Sequence, residues 1–209
     1  MNFQPGSALI ASFCVLTLAG CASTPDPSPQ AAFWDALSTH CGKAYAGTLV
    51  SEDARDADWA GRRMIAHWAD CDADRIAIAL HVEEEGGSGW NRSRTWLVSP
   101  APGGLRLKHD HRHEDGEEDR VTQYGGETID EGTSRSQDFP VDAYSIALFE
   151  REGLSASLTN VWGIEVDPAG AQDGRLVYQL TRRNDPSRLF RVEFDLTQPV
   201  APPPAAWGW

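Results

Sequence analysis

The sequence has few basic residues and no long apolar run, and both shortages limit its function. Lys and Arg number 18 against 31 Asp and Glu in 209 residues, so the formal net charge is -13. A chain this acidic is repelled by a phosphate backbone, so we expect no nucleic-acid partner. The longest mostly apolar stretch covers residues 8–20, whereas a spanning helix needs about 20 residues. With 41% hydrophobic residues and 8 Trp, the composition excludes a disordered chain and a polytopic membrane protein.

Several catalytic motifs are missing as well. The sequence contains no HExxH zinc motif, no Gly-rich phosphate loop with a lysine and no dinucleotide fingerprint. Residues 86–90 lack the closing glycine of a nucleophile elbow. The acidic turn at residues 114–119 fails the EF-hand spacing. We therefore expect no cofactor, and the sequence leans against an enzyme without deciding the question.

The N-terminus has the features of an export signal. Residues 1–20 contain no charged side chain, and the apolar run at 8–20 fits the length of a signal-peptide core. The run leads into Leu-Ala-Gly-Cys at residues 18–21, which resembles the lipobox of bacterial lipoproteins. The resemblance implies that Cys21 is the lipidated N-terminus of the mature protein and its membrane anchor. Ala22 implies sorting to the outer membrane, facing the periplasm, and two or more acyl chains give stable anchoring.

Composition divides the chain into four segments. Three Pro and the absence of large apolar residues after Cys21 predict a stiff linker, and a second Pro-rich stretch at the end predicts a disordered tail, although Trp207 and Trp209 are unusual there. The segments are a signal peptide (1–20), a lipid-anchored linker (21–30), a β-barrel domain (31–198) and the tail (199–209).

Two cysteines remain for the folded domain, Cys41 and Cys71. An even pair in an exported chain predicts a disulfide bond, with two buried free thiols as the alternative. Cys41 precedes one apolar stretch and Cys71 follows the next. If the two stretches form an antiparallel hairpin, these cysteines lie side by side. Closing a loop of this length stabilises the fold by about 3 to 4 kcal/mol.

The domain reads as one short helix followed by many strands. Ser28 and Pro29 are typical of a helix start, and Phe33, Trp34 and Leu37 share one helical face. Further on, apolar and polar residues alternate between turn-rich breaks, which predicts antiparallel strands. We expect an all-β fold, a lipocalin-like up-and-down barrel of about ten strands, with a β-sandwich as the alternative. The expected strands are 44–50, 62–69, 74–84, 94–99, 104–113, 119–125, 141–149, 160–166, 175–183 and 190–196.

A row of histidines is the main candidate site. Leu105 and Leu107 share a strand face with His109, His111 and His113, so the histidines continue the inward row toward the barrel mouth. They are candidates for ligand binding in a cavity. As an alternative, the three His form a Zn or Cu site, and as a second alternative the segment is a solvated hairpin without a ligand.

Arg94, Trp96 and Tyr124 complete the predicted ligand-binding set, since an arginine beside aromatic rings suits an anion- or ring-binding mouth. The body also resembles uncharacterised secreted bacterial proteins through Cys-Gly-Lys-Ala-Tyr (41–45), Ser-Arg-Thr-Trp (93–96) and Lys-His-Asp-His-Arg (108–112); that resemblance implies no activity. Three functions remain: an envelope lipoprotein that binds a small apolar or amphipathic ligand, a metal-binding protein or metal-dependent enzyme, and a structural lipoprotein with a filled barrel.

Overall fold

Residues 1–2 and 26–209 are described in the computed structural model of the protein. The predicted signal peptide and the predicted lipidation residue Cys21 lie outside the described residues. Within them, the chain forms a single ten-stranded antiparallel sheet that curls into a nearly closed barrel.

In the described part of the chain, two α-helices and three short 3-10 turns accompany the strands. Helix α1 spans Pro29–Ser38 and helix α2 spans Ala143–Arg151. The strands are β1 (Ala44–Leu49), β2 (Met64–Cys71), β3 (Ile76–Glu83), β4 (Trp90–Ala101), β5 (Gly104–His111), β6 (Tyr124–Glu127), β7 (Ser136–Pro140), β8 (Asn160–Val166), β9 (Arg175–Arg182) and β10 (Asp185–Val200).

The strand order confirms the predicted barrel and not the sandwich. Strands β1 to β6 pair in sequence, β7 to β10 pair in sequence, and β1 pairs with β10. The two sheet edges, β6 and β7, meet at an isolated antiparallel bridge between Gly126 and Val141. Beside it, the Asp142 amide donates to the Gly125 carbonyl at 3.0 Å. Closure of this kind covers the unpaired edges that an open sheet would expose.

Helix α1 closes one end of the barrel, and its prediction is confirmed. The Ser28 hydroxyl caps it by accepting from the Ala31 amide at 3.2 Å. Phe33 and Leu37 are completely buried in the core, while the Gln30 side chain donates to Thr128, just after β6, at 3.0 Å. Because neighbouring strands are antiparallel, the even-numbered strands end beside α1 and the odd-numbered strands end at the opposite, open end.

The predicted hairpin and disulfide bond are both present. Strands β1 and β2 pair with Ala44 opposite His67, which brings Cys41 next to Cys71. Their Cα atoms are 6.0 Å apart in the Cys41–Cys71 disulfide. The bond ties the segment after α1 to the end of β2.

Two predicted strands differ from the structure. The strand predicted at residues 119–125 begins only at Tyr124, as β6. Residues 141–149 are a helix start and not a strand, because Asp142 caps α2 by accepting from the Ser145 amide at 2.8 Å. The buried side chains of α2, which are Ser145, Leu148 and Phe149, have helical spacing. The adjacent strand β7 was not predicted.

The Pro-rich end is not a disordered tail. We call residues 201–209 the C-terminal segment. The Trp207 amide donates to the Arg92 carbonyl at 3.1 Å, and the Trp209 indole donates to Asp110 at 2.9 Å. Ala206 is 4% exposed. The Trp and Ala side chains of the segment bury apolar surface against the barrel, which a stretch of prolines alone would not do. This packing orders the segment on the outer face of β4 and β5.

Candidate functional site

A cavity of about 290 Å³ lies at the open end of the barrel, opposite α1. Its walls come from strands β3 to β6 and β8 to β10, from α2, and from the turn between β1 and β2. The aromatic lining residues are Trp59, Trp96, Tyr124, Phe149, Trp162, Tyr178 and Phe190, and the polar ones are Asp56, Arg94, His109, His111, Ser157, Asn160, Arg182 and Arg188.

Stacked aromatic rings form most of the wall. Trp96 and Tyr178 lie parallel, with ring centroids 4.3 Å apart, and Trp59 meets Phe190 edge to face at 5.1 Å. Strand alternation points Trp96 inward, while the barrel topology brings Tyr178 to it from β9. Such rings offer a rigid apolar surface to a flat or hydrophobic ligand.

His109 is buried at the cavity floor, with both ring nitrogens bonded. Its Nδ1 lies 3.0 Å from the Tyr124 carbonyl, and its Nε2 lies 2.7 Å from the Tyr178 hydroxyl. A carbonyl only accepts, so Nδ1 carries the proton and Tyr178 donates to Nε2. Burial lowers the pKa of His109 to about 3, so the ring is neutral near pH 7. His109 therefore positions Tyr124 and Tyr178.

His111 and Tyr124 form a second pair closer to the mouth. The Tyr124 hydroxyl and His111 Nε2 are 3.0 Å apart. Burial, followed by the positive charge of Arg94, lowers the pKa of His111 to about 4, and burial raises the pKa of Tyr124 to about 12. Both groups are thus neutral near pH 7, and the pair can turn one hydrogen-bond donor toward the cavity.

Arg94 supplies positive charge to the same wall. It lies opposite His111 in the β4–β5 ladder, and its guanidinium carbon is 5.0 Å from the centre of the Trp59 ring. Its Nη1 donates to neutral oxygens on Asn91, at 3.2 Å, and Ser93, at 3.1 Å. Burial lowers the pKa of Arg94, yet an arginine keeps its charge near pH 7.

Two further arginines line the cavity, and their surroundings differ. Arg188 is 8% exposed and donates to Asp56 at 2.8 Å and Asp53 at 3.0 Å. Its charge is therefore neutralised within the protein. Arg182 donates to the neutral Asn160 amide oxygen at 3.1 Å, so this side of the cavity also keeps positive charge.

The predicted three-histidine metal site is not formed. His113 lies beyond the end of β5, with its side chain 58% exposed and 3.9 Å from Asp119. His109 uses both nitrogens inside the protein. Across residues 26–209, no group of three His, Cys, Asp or Glu is placed to hold a metal ion. Strand β5 ends at His111, so His113 does not continue the inward-facing row of histidines.

All five predicted ligand-binding residues line this one cavity: Arg94, Trp96, His109, His111 and Tyr124. Their role in binding stays a prediction. Sequence reasoning missed Trp59, Tyr178 and Arg188, which reach the cavity from the β1–β2 turn, β9 and β10. Leu176 and Tyr178 are two residues apart on β9 and therefore face the same side of the sheet. An inward-facing Leu176 thus predicts that Tyr178 also points inward. No local pattern marks Trp59 or Arg188.

Comparisons of the chain with protein-family models, with curated proteins and with solved structures found no match. Among the described residues, no helix has both the length and the apolar character that crossing a membrane requires.

Proposed function

We propose that this protein is a lipid-anchored protein of the bacterial cell envelope whose barrel binds a small amphipathic molecule. The cavity at the open end is the observation that carries the binding proposal. Its aromatic walls and its polar cluster of Arg94, His111 and Tyr124 offer both kinds of contact that an amphipathic molecule needs.

The size and rigidity of the cavity support this proposal. About 290 Å³ is at the lower end of the range for small-molecule sites, which is about 300–1,000 Å³. The His109–Tyr178 bond and the Trp96–Tyr178 stack hold the walls in place before a ligand arrives. A preformed site loses little conformational entropy on binding.

The anchoring proposal rests on the apolar run at residues 8–20 and on Cys21. The Cys41–Cys71 disulfide supports it, because such bonds persist in oxidising compartments such as the periplasm and are rare in the cytosol. The domain itself then needs no membrane-binding surface, since two or more acyl chains suffice.

Calorimetric titration with 2-naphthalenemethanol and 2-naphthoate tests ligand binding. We expect at least one probe to bind the wild-type protein. Val121 also lines the cavity, so the variant Val121→Trp fills the cavity and should lose that binding. The matched control Ile129→Trp alters a residue that is 79% exposed and keeps it. Equal binding by Val121→Trp, or no binding of either probe, would overturn the proposal.

Labelling of cells with radioactive palmitate tests the anchor. The wild-type protein should take up label and sediment with membranes, whereas Cys21→Ser should do neither. Cys14→Ser changes a cysteine in the same N-terminal run and serves as the control that stays labelled. An unlabelled wild-type protein contradicts the proposed anchoring without affecting the binding proposal.

A further inference from the structure

The guanidinium of Arg94 faces the cavity without a carboxylate partner. Its Nη1 is bonded to Asn91 and Ser93, and within residues 26–209 neither Nε nor Nη2 has a hydrogen-bond acceptor. Partial burial beside neutral groups removes some of the water that solvates this cation, and this loss of solvation costs free energy. The arrangement becomes favourable when an anion enters the cavity and accepts from these two donors.

Arg188 contrasts with Arg94, because carboxylates of the protein neutralise its charge. Arg188 lines the same cavity and is held by both Asp53 and Asp56. The protein has 31 Asp and Glu against 18 Lys and Arg, so acidic residues are plentiful. Among residues 26–209, no carboxylate forms an ion pair with Arg94, and the charge of Asp119 acts on it only from a longer distance. The cavity of an acidic protein thus keeps positive charge at Arg94, as it also does at Arg182.

The geometry of the unbonded donors suits a carboxylate. Nε–H and Nη2–H point from one edge of a planar guanidinium, and that edge binds the two oxygens of a carboxylate in parallel. Trp59 lies against the guanidinium, with its ring centre 5.0 Å from the guanidinium carbon, and this contact fixes the plane.

The His111–Tyr124 pair adds one more donor. If Tyr124 donates to His111 Nε2, the Nδ1 of His111 carries a proton; if Nε2 donates to Tyr124, the hydroxyl proton of Tyr124 is left over. Either tautomer leaves one N–H or O–H that the pair itself does not use. Two parallel donors and one neighbouring donor suffice for the two oxygens of a carboxylate. A phosphate monoester would bring a second negative charge into a cavity walled mostly by aromatic rings, where charge is costly to desolvate, so a monoanion is favoured.

We infer that the molecule bound in the cavity carries a carboxylate on an apolar body and that Arg94 receives this carboxylate. The inference rests on the proposed ligand-binding function and assigns the chemical class of its ligand. The apolar body lies against the stacked rings of Trp96 and Tyr178, and the carboxylate meets the Arg94 edge.

Four probes with the same ring system test the inference by calorimetry: 2-naphthoate, 2-naphthalenemethanol, 2-naphthalenemethylamine and 2-naphthyl phosphate. We expect naphthoate to bind the wild-type protein at least tenfold more tightly than the alcohol, and the amine to bind most weakly. If the alcohol or the amine equals naphthoate, or if the phosphate binds more tightly, the carboxylate assignment is overturned while ligand binding stands. If none of the four binds, the proposed function itself fails.

Variants then locate the carboxylate. Arg94→Gln should weaken naphthoate binding at least tenfold and change the affinity for the alcohol less than threefold. Arg94→Lys keeps the positive charge but removes the edge with two parallel donors. It should therefore lose most of the preference for naphthoate over the alcohol. Arg106→Gln removes one charge from an exposed ion pair with Glu127 and should behave as wild type. A preference that persists in Arg94→Gln, with circular dichroism showing a folded barrel, would overturn the role of Arg94.

Discussion

At the residue scale, His109 links the two halves of the cavity wall. It is 2% exposed, stacks on Tyr124 with ring centroids 4.6 Å apart, and bonds to Tyr178 across the barrel. β5 and β9 are not neighbours in the sheet, so this hydrogen bond spans the interior. A side chain that joins non-adjacent strands fixes the distance between them.

Removing the Tyr178 hydroxyl should destabilise the protein. In Tyr178→Phe, His109 Nε2 loses its donor and stays buried, which costs about 1 to 3 kcal/mol. Urea denaturation of the two proteins at pH 7 measures the difference. Tyr144→Phe is the matched control, because Tyr144 is 54% exposed and its change should stay within about 0.5 kcal/mol. A Tyr178→Phe variant as stable as wild type would contradict this role.

Sequence alternation predicts only part of this site. Leu105, Leu107 and His109 are buried as the two-residue period of a strand requires, and His111 follows them into the cavity. The same period extended to His113 fails, because β5 ends at His111. Trp59 and Arg188 depend on pairings between segments far apart in sequence, which no local pattern encodes.

At the element scale, α2 and the C-terminal segment differ from their predictions for different reasons. The Asp142 cap of α2 is a local signal that the strand prediction overlooks, whereas the docking of the C-terminal segment depends on residues far away in sequence. Asp142, which caps α2, also forms an ion pair with Lys108 of β5 at 2.6 Å, and Trp209 bonds to Asp110 of the same strand. By contrast, the predicted strand 160–166 matches β8, where apolar alternation alone sets the pattern.

Arg92 holds the C-terminal segment near an outward-facing histidine. His81 of β3 alternates with core residues such as Leu80 and Val82, yet it is 0% exposed. Arg92, on the adjacent β4, holds the segment through the Ala205 carbonyl at 2.5 Å. Burial, followed by the charges of His67 and Arg92, lowers the pKa of His81 to about 4.

Deletion of residues 201–209 should raise the pKa of His81 toward 6.5. Water would then reach the ring and hydrate its charged form. Titration followed by nuclear magnetic resonance of the histidine ring protons measures this shift. His109 lies inside the barrel and keeps its lowered pKa, which makes it the internal control. If His81 still titrates near pH 4 after the deletion, the segment does not shield it.

At the scale of the whole molecule, strand pairing in sequence order made the barrel predictable. Turn-rich breaks and apolar alternation suffice to predict antiparallel neighbours, and a sheet with one apolar face must close or stack. The bridge between Gly126 and Val141 depends on the curvature of the complete sheet, and no local sequence pattern predicts that curvature. The size of the cavity depends on how the side chains pack inside the barrel, so it cannot be predicted from the sequence pattern either.

The protein should lose stability as the pH falls from 6.5 toward 5. His81, His109 and His111 have folded-state pKa values of about 4, 3 and 4 against an ordinary 6.5. The unfolded chain therefore binds protons in this window that the folded chain does not. Each group lowers the free energy of unfolding by about 1.4 kcal/mol per pH unit once the pH is well below 6.5.

Urea midpoints at pH 7.5, 6.5, 5.5 and 5.0 test this prediction. The range lies above the ordinary pKa values of Asp, 3.8, and Glu, 4.5, so lowered carboxyl pKa values, such as that of Asp185 at about 2, contribute less than the histidines there. A midpoint that stays constant down to pH 5.0 would show that the three buried histidines do not gain protons on unfolding.

The closure of one barrel end by α1 has a consequence for orientation at a membrane. α1 begins at Pro29 on the closed end, and its Gln30 is bonded to Thr128 there. From Cys21 to Ser28 the chain can reach at most about 25 Å. If Cys21 is acylated as proposed, the tether would hold the closed end toward the bilayer and turn the cavity mouth toward the aqueous compartment. A ligand of the cavity would then be exchanged with that compartment and not directly with lipid.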